Sequence, residues 1–217
     1  MTTDVINNYL SIQENIKKIR VNKKVNIIAV SKTFNMDQIA PLIGHGHLHF
    51  GENKLQEAFY KWSDIKSNNK KIKLHMIGKL QSNKAKKAVE LFDYIHSLDN
   101  EKLANVLSKS EHSLDKKINY FIQVNIGNES QKSGIPLNIV DQFYTYCSLE
   151  LKLNIIGLMA IPPNDNNTNK HFQFISEHNS SLNLPELSLG MSSDYLIALK
   201  YEATFLRIGS AIFGKRN

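Results

Sequence analysis

A lysine follows directly after an apolar run near the start of the chain. In "NIIAVSKTF" (26–34) the residues from Ile27 to Val30 are apolar and mostly β-branched, without alternation. This pattern is typical of a strand buried on both faces of a parallel sheet, so Lys32 stands at a strand exit. An amine at the mouth of an apolar barrel loses proton affinity and becomes nucleophilic toward an aldehyde. From this stretch alone, a solvated loop lysine is the commoner interpretation.

A second candidate group follows a strand late in the sequence. In "LSLGMSSDYLIAL" (187–199) the predicted strand ends at Gly190, and Ser192, Ser193 and Asp194 precede a predicted helix. A serine there can cap the helix, and the free N–H groups of the first helical turn attract an anion. An ordinary helix cap is the commoner role of an isolated serine, so this group needs support from another loop.

That support comes from the last strand, in "FLRIGSAIFG" (205–214). Arg207 lies in the strand end, Gly209 permits close backbone approach, and Ser210 adds a donor. The loops after strands seven and eight of a (β/α) barrel commonly bind phosphate. Arg207 would also lower the proton affinity of Lys32 by like-charge repulsion. A ligand with an aldehyde for Lys32 and a phosphate for these loops is pyridoxal 5′-phosphate (PLP).

The elements that must position these residues alternate along the chain. After a leading amphipathic helix, strand patterns occur near 25–31, 47–50, 73–77, 94–97, 120–126, 154–160, 186–190 and 205–208, with helical patterns between them. Such alternation implies a parallel sheet with right-handed crossovers. About eight units in 217 residues favour a single-domain (β/α)8 TIM-like barrel over residues 1–217, with an extra N-terminal helix. In a barrel the polar strand exits would meet at one rim.

Ordered motifs across nearly the whole chain resemble one known family. They are "AVSKT" (29–33), "FGEN" (50–53), "IGKLQSNK" (77–84), "QVNI" (123–126), "KSGI" (132–135), "GLMAI" (157–161), "LSLGMSSD" (187–194) and "RIGSAIFGKR" (207–216). The chain resembles the PLP homeostasis family, also called YggS or PROSC proteins, whose fold is related to the barrel domain of alanine racemase.

The resemblance implies a role for each candidate residue. Lys32 would form the internal aldimine with PLP, and Asn53 would lie beside the cofactor. Ser192 would hold the phosphate with Gly209 and Ser210, and Arg207 would face the pyridine nitrogen. We include the adjacent Ser193 in the cofactor site. No residue is assigned a catalytic role.

Two positions depart from the family pattern. After "AVSKT" the family often continues with Lys-Pro, whereas Phe34 and Asn35 follow here, so the conformation of that loop is not predicted. Before the last strand a glycine is usual, but Glu202 stands in "YEATFLR". The second departure affects a turn and leaves the site residues unchanged.

Arg207 also bears on the expected chemistry. An arginine does not accept a proton from the pyridine ring and does not readily give one up, so the cofactor would be a poor electron sink. Racemisation would need a second acid/base, which in alanine racemase comes from a partner subunit and depends on an added C-terminal domain. This sequence ends at Asn217, shortly after the eighth strand. We therefore expect a PLP-binding protein of intracellular vitamin B6 homeostasis, without robust turnover. The alternatives are a PLP-dependent amino-acid racemase and a Schiff-base aldolase.

Composition bears on the compartment and on partners. No run approaches the roughly 18 apolar residues of a membrane span, and the start lacks a secretory signal. The one cysteine, Cys147, excludes an internal disulfide and has the pattern of a buried core residue. We expect a cytoplasmic monomer that passes PLP to apo-enzymes. The net charge of +7 raises nucleic acid as a partner, but the lysines are scattered without a motif, so none is expected.

The histidines of "GHGHLHF" (44–50) raise the question of a metal. His47 and His49 would alternate onto one strand face, with His75 on the next strand. The run lacks cysteine or carboxylate ligands at a known spacing, so no metal site is predicted. The resemblance also places Gln81, Asn83, Asn125 and Lys132 in shared motifs, without a role that the sequence assigns.

Overall fold

The chain folds into a closed barrel of parallel strands. The computed structural model describes residues 2–19, 23–127, 129 and 133–214. Its strands are Asn26–Val30 (β1), His49–Glu52 (β2), Lys73–Met76 (β3), Tyr94–Leu98 (β4), Asn119–Asn125 (β5), Ile135–Pro136 (β6), Asn154–Ala160 (β7), Glu186–Met191 (β8) and Phe205–Ile208 (β9). The eight predicted strands are confirmed, and the two-residue β6 is an addition that pairs with β5.

The strand order closes the sheet on itself. Neighbouring strands follow the order β4-β3-β2-β1-β9-β8-β7-β5, and a further pairing of β4 with β5 completes the ring. The pairings are parallel, and the register places Ile28 of β1 opposite Arg207 of β9. Because all strands point the same way, the loops that follow them meet at one rim. The prediction of a (β/α)8 barrel is confirmed.

Helices surround the barrel. They are Thr2–Lys17 (α1), Met36–Gly44 (α2), Leu55–Asn68 (α3), Ala85–Leu91 (α4), Glu101–Leu114 (α5), Val140–Thr145 (α6), Thr168–Ser181 (α7), Tyr195–Leu199 (α8) and Ser210–Phe213 (α9). The predicted N-terminal helix is α1, which buries Val5, Tyr9 and Ile12. Asn8 Nδ2 donates to the Ile212 carbonyl oxygen at 3.0 Å and ties α1 to α9. Within the described ranges, no helix has the length and apolar character needed to cross a membrane.

The second strand begins later than predicted. The sequence pattern placed it at 47–50, whereas β2 runs from His49 to Glu52. The N–H of His47 still donates to the Leu42 carbonyl oxygen at the end of α2, and Gly46 turns the chain with φ of +90°. His47 therefore belongs to the helix terminus, and the prediction that it shares a strand face with His49 is wrong.

The barrel interior is unusually polar. A small apolar cluster, separate from the larger core beneath the helices, consists of Ile28, Phe121, Met159 and Phe205. Beside it lie His75, His96 and Ser188, which are fully buried, and Arg207, which is 5% exposed. Barrel interiors are usually filled by branched aliphatic residues. These polar side chains need internal hydrogen-bond partners because they are buried away from water.

Cys147 is a core residue, as its pattern predicts. It is completely buried in a π-helical turn, Tyr146–Glu150, that follows α6. Burial, with a smaller contribution from Glu101, raises the pKa of the thiol to about 12. A nucleophilic role for this cysteine is therefore disfavoured.

Candidate functional site

Six of the seven predicted site residues lie on loops at one rim of the barrel, and the seventh, Arg207, lies in β9. Lys32 is half-buried and comes two residues after β1, and Asn53 directly follows β2. Ser192 and Ser193 follow β8, with Ser192 half-buried and Ser193 exposed. Gly209 and the exposed Ser210 follow β9. All of these loops leave the carboxyl ends of the strands, where barrel folds carry their sites.

Ser192 bridges the two last loops. Its Oγ accepts hydrogen bonds from the N–H of Gly209 at 3.3 Å and from the N–H of Ala211 at 3.2 Å. Two backbone donors thus converge on one oxygen atom, which is the arrangement that binds an oxygen of a small anion. The sequence indicated Ser192 and Gly209 but missed Ala211. Every residue except proline has a backbone N–H, so the residue type does not show which N–H will act as a donor at the site.

The structure corrects the expected helix cap. α8 begins at Tyr195 after Asp194, and no side chain caps it. Ser192 reaches the next loop instead, while Asp194 Oδ1 accepts from the Met191 N–H at 2.5 Å. Gly190 is required before this turn, since its φ is +83° and a Cβ would lie 2.8 Å from that of Ala198. These contacts fix the path of the loop that carries Ser192.

Gly209 also places the anion-binding loop beside the strand that leads to Lys32. The register pairs Ala29 with Ile208, and a Cβ on Gly209 would lie 3.4 Å from atoms of Val30. Val30 is two residues before Lys32. The amine-bearing loop and the amide cradle are therefore neighbours on the rim, as the closed barrel predicts.

A buried ion pair holds the loop that carries Lys32. Lys61 Nζ of α3 lies 2.7 Å from Glu52 Oε1, and it donates to the carbonyl oxygens of Ser31 at 2.8 Å and Phe34 at 3.2 Å. Ser31 Oγ donates to the same Glu52 oxygen at 2.8 Å. The residues on both sides of Lys32 are thus anchored to one carboxylate and one ammonium. Neither role was predicted from the sequence, which offered only the "GEN" motif and a lysine cluster.

The same loop shows how Phe34 and Asn35 are accommodated. Thr33 has φ of +69°, and its N–H donates to Glu57 Oε1 at 2.6 Å. Phe34 is buried, with its ring centroid 4.8 Å from that of Phe213. Asn35 caps α2 in a capping box with Gln38. The departure from the family pattern therefore leaves a well-defined loop.

Asn53 presents a buried polar atom to the rim. Its Oδ1 is buried and has no hydrogen-bond partner within the described ranges. The backbone of Gly78 packs closely against it, since a Cβ on Gly78 would lie 2.4 Å from the Asn53 carbonyl oxygen. Asn53 also lines a cavity of about 350 Å³ with Gln81 and Lys84. An unpartnered buried acceptor is rare in a folded protein and requires an explanation.

Arg207 is held inside the barrel by neutral acceptors. Its Nη1 donates to both the carbonyl oxygen and Oγ of Ser188 at 2.7 Å, and Nη2 donates to the Ala160 carbonyl oxygen at 2.9 Å. Burial lowers the pKa of the guanidinium to about 10, against a smaller opposing effect of Asp194. Arg207 therefore remains cationic at neutral pH.

Three histidines of the interior are hydrogen-bonded to one another. His49 Nδ1 lies 3.0 Å from His75 Nε2, and His75 Nδ1 lies 2.9 Å from His96 Nε2. His96 Nδ1 in turn lies 2.9 Å from Ser188 Oγ. The proximity of His49 and His75 was predicted, whereas the involvement of His96 and Ser188 was missed. No cluster of three or more potential ligands suited to a metal occurs in the described part of the chain.

The residues without an assigned role are only partly explained. Gln81 and Asn83 are exposed on the loop after β3. Asn125 shapes the turn after β5, since its Nδ2 donates to the Glu129 carbonyl oxygen at 2.9 Å and its Oδ1 accepts from the Glu129 N–H at 3.2 Å. Lys132 lies outside the described residues.

The matches among known sequences agree with the resemblance that the sequence motifs indicated. The sequence model of the family described as "Alanine racemase, N-terminal domain" matches residues 8–217. A pyridoxal phosphate homeostasis protein of Pasteurella multocida is 35% identical over 225 residues, covering 97% of this chain and 97% of that protein. A protein of the same name from Escherichia coli is 32% identical over 228 residues, covering 99% and 97%.

Comparison with solved structures agrees. PipY of Synechococcus elongatus, solved with PLP bound and without it, is 32% identical and superposes with a TM-score of 0.85 over 97% of this chain and 100% of that one. Alanine racemase of Corynebacterium glutamicum is 14% identical with a TM-score of 0.74, covering 97% of this chain and 60% of that one. The second likeness concerns the fold alone.

Proposed function

Because this chain belongs to the pyridoxal phosphate homeostasis protein family, within the alanine racemase N-terminal domain fold, we propose that it binds PLP at the rim described above. The observation that carries the proposal is the convergence of the Gly209 and Ala211 N–H groups on Ser192, next to the strand that leads to Lys32. The likeness to PipY, solved with PLP bound, supports it.

Each end of the cofactor has a matching group. PLP supplies an aldehyde and an anionic phosphate. Lys32 would hold the aldehyde covalently as an imine, and Ser192, Ser193, Gly209 and Ser210 would hold the phosphate. The anchoring of Ser31 and Phe34 by Lys61 supports Lys32 as the attachment point, because it fixes the backbone on both sides of the amine.

Asn53 would lie beside the cofactor, and Arg207 would face the pyridine nitrogen. The buried Asn53 Oδ1 needs a donor or a polar neighbour, which a ligand at this rim would provide. Arg207 has five N–H donors, and three of them pair with Ser188 and Ala160 within the described residues. One of the remaining two would donate to the ring nitrogen, which has a single lone pair.

Arg207 also supports the absence of robust turnover. A cationic guanidinium gives the ring nitrogen no proton, so the ring would withdraw electrons weakly and reactions through a carbanion would be slow. We therefore propose a protein that holds PLP and releases it, in preference to an amino-acid racemase. Negligible racemase and lyase activity of the PLP-loaded protein is the expected result, and substantial activity abolished by Lys32→Ala would overturn this part.

The cellular part of the proposal follows from the family. We propose one PLP-binding domain across residues 1–217, acting as a cytoplasmic monomer that passes PLP to apo-enzymes. The relatives are named for PLP homeostasis, which supports a role in supply over a role in catalysis. To test this, the PLP-loaded protein is mixed with a PLP-dependent apo-enzyme and an agent that traps free PLP. Activation of the apo-enzyme that is faster than the release of PLP to the trapping agent would support direct transfer.

The decisive experiment examines the attachment of PLP. The purified protein is mixed with PLP, its absorption spectrum is recorded, and borohydride reduction is followed by peptide mass spectrometry. We expect an imine band and a reduced PLP adduct on the peptide that contains Lys32. Lys32→Ala should lose both, whereas Lys79→Ala, which alters an exposed lysine of the same rim, should retain them. An adduct that persists in Lys32→Ala would refute the assignment.

A further inference from the structure

We infer that His49, His75, His96 and Ser188 form a directed chain of hydrogen bonds that positions Arg207 and preserves its positive charge through a neutral acceptor. The chain runs through the barrel interior to the candidate site. It starts at the end of the barrel where the strands begin, which we call the lower mouth. Its four members are positioning residues, since they would act on a bound ligand through Arg207. Only the link to PLP rests on the proposed function, and the chain itself can be tested in the cofactor-free protein.

The direction of the chain follows from Arg207. A guanidinium can only donate, so Ser188 Oγ is an acceptor in its 2.7 Å bond with Arg207 Nη1. The proton of the Ser188 hydroxyl then needs an acceptor of its own, because Ser188 is fully buried. His96 Nδ1, at 2.9 Å, is the other hydrogen-bond partner of this hydroxyl within the described residues. His96 Nδ1 must therefore be unprotonated.

The state of each following ring is then determined. A neutral His96 with an unprotonated Nδ1 carries its proton on Nε2, which donates to His75 Nδ1 at 2.9 Å. His75 likewise carries its proton on Nε2, which donates to His49 Nδ1 at 3.0 Å. His49 then also has a protonated Nε2. Every hydrogen bond in the chain points from Arg207 toward the lower mouth of the barrel.

The surroundings keep all three rings neutral. Burial lowers the pKa of His75 and His96 well below the ordinary value, and the neighbouring histidines lower it further because protonation of two adjacent rings would place like charges together. His49 lines a cavity of about 520 Å³ at the lower mouth. Burial there, with repulsion from Lys24 and Lys73 and a smaller opposing effect of Asp93, lowers the His49 pKa to about 4. If one of these imidazoles were protonated on both nitrogens, one of its N–H groups would also point at an N–H or O–H group of its neighbour in the chain.

The other groups packed on the rings do not supply a proton. Tyr94 stacks on His75 with ring centroids 4.3 Å apart, and burial raises the pKa of this phenol, with help from Asp93 and Glu186. Phe121 stacks on His96 at 4.3 Å. Lys66 adds a further repulsion at His75, and Arg207 does so at His96. The chain is thus enclosed by aromatic faces and by cations that disfavour protonation.

The physical consequence is a cation whose direct hydrogen-bond acceptors are neutral, with Asp194 acting on it only electrostatically. Each group of the chain presents its acceptor end toward Arg207, so the dipoles of the chain favour the guanidinium charge. A carboxylate at the position of Ser188 would stabilise Arg207 more strongly, but it would also cancel the charge that a ligand on the other side experiences. The chain therefore keeps Arg207 both fixed and electrostatically effective toward the ring nitrogen of PLP.

The first test needs no cofactor. Nitrogen-15 NMR of the histidine side chains reports which ring nitrogen carries the proton, and single substitutions such as His49→Asn assign the signals. We expect His49, His75 and His96 to be neutral at pH 6 with the proton on Nε2. A proton on Nδ1 of His75 or His96, or an imidazolium in the chain at pH 6, would overturn the inference whether or not the protein binds PLP.

The second test breaks the chain at its half-buried end, where a substitution is tolerated best. His49→Leu removes the acceptor of the His75 proton, while His49→Asn retains an acceptor through Oδ1. With PLP added to the full chain, we expect His49→Leu to weaken PLP binding about 3- to 10-fold and to shift the pH midpoint of the cofactor absorption band by about one unit. His49→Asn should restore both. An unchanged tautomer pattern and an unchanged pH profile in His49→Leu would contradict the proposal.

Discussion

The Lys61 ammonium lies 2.7 Å from the Glu52 carboxylate, and both side chains are almost excluded from solvent. Glu52 Oε1 also accepts from Trp62 Nε1 at 3.0 Å, so three donors, those of Lys61, Trp62 and Ser31, meet at one oxygen. A buried pair with this many partners is costly to break, because the remaining charge stays buried. The pair therefore acts as the anchor of the loop around Lys32.

Removal of one partner should destabilise the protein. We expect Lys61→Met to reduce the free energy of unfolding by about 3–5 kcal/mol, since it leaves the buried Glu52 side chain without its ammonium partner. The double variant Glu52→Gln with Lys61→Met should lower the free energy of unfolding by less than the sum of the decreases caused by the two single substitutions. Urea unfolding measures this, with Lys54→Met as the exposed control. Equal stability of Lys61→Met and wild type would contradict the assigned role of the pair.

Ser192 should contribute to phosphate binding. Ser192→Ala removes the hydroxyl that meets the Gly209 and Ala211 N–H groups, and we expect PLP to bind about 10- to 100-fold more weakly, the equivalent of one hydrogen bond to a charged group. Ser67→Ala, at an exposed serine of α3, is the control. Fluorescence or absorbance titration with PLP gives both dissociation constants. A dissociation constant that stays at the wild-type value would remove Ser192 from the site.

The turn at Glu202 should carry measurable strain. Glu202 has φ of +60°, where a glycine is usual in the family, and a left-handed conformation costs a non-glycine residue roughly 1–2 kcal/mol. We expect Glu202→Gly to raise the free energy of unfolding by up to about 1 kcal/mol. Glu202→Ala keeps the Cβ and loses the contact with Lys23, so it should not raise the free energy of unfolding. Thermal unfolding of both variants separates backbone strain from charge.

Stability should decline in mild acid. Burial lowers the pKa of His47 from 6.5 to about 4, so between these values the unfolded chain binds a proton that the folded chain does not. The free energy of unfolding therefore falls as pH falls from 6.5 to 4, by about 1.4 kcal/mol per pH unit for each such histidine. His47→Gln should reduce this slope by that amount. Identical slopes for wild type and His47→Gln would disprove the assignment.

The sequence predicts the barrel well because its signals are local and repeated. Apolar runs such as Ile27 to Val30 identify a strand by residue type alone, and eight of them separated by helical patterns leave few topologies. The exception is β2, where a hydrogen bond from His47 to Leu42 delays the strand by two residues. That bond depends on how α2 ends, which the alternation of histidines does not reveal.

The candidate site is predicted only in part. Strand exits place Lys32, Asn53, Ser192 and Gly209 on one rim because parallel strands share a direction. The partners of these residues are distant in sequence: Ser188 joins His96 across 92 positions. Residue types at such separations carry no signal without the register of the sheet. The sequence therefore indicated which residues reach the rim and missed the contacts that support them.

By itself, the sequence determined the order of the eight barrel strands, the buried state of Cys147 and the residues that reach the rim, because hydrophobic pattern and strand direction follow from neighbouring residues. Only the tertiary structure decided that Lys61 and Glu52 anchor the Lys32 loop and that a chain of histidines meets Arg207 at Ser188. These contacts form when the sheet closes, and closure brings together groups whose charges and protons must be matched within a space that water does not enter.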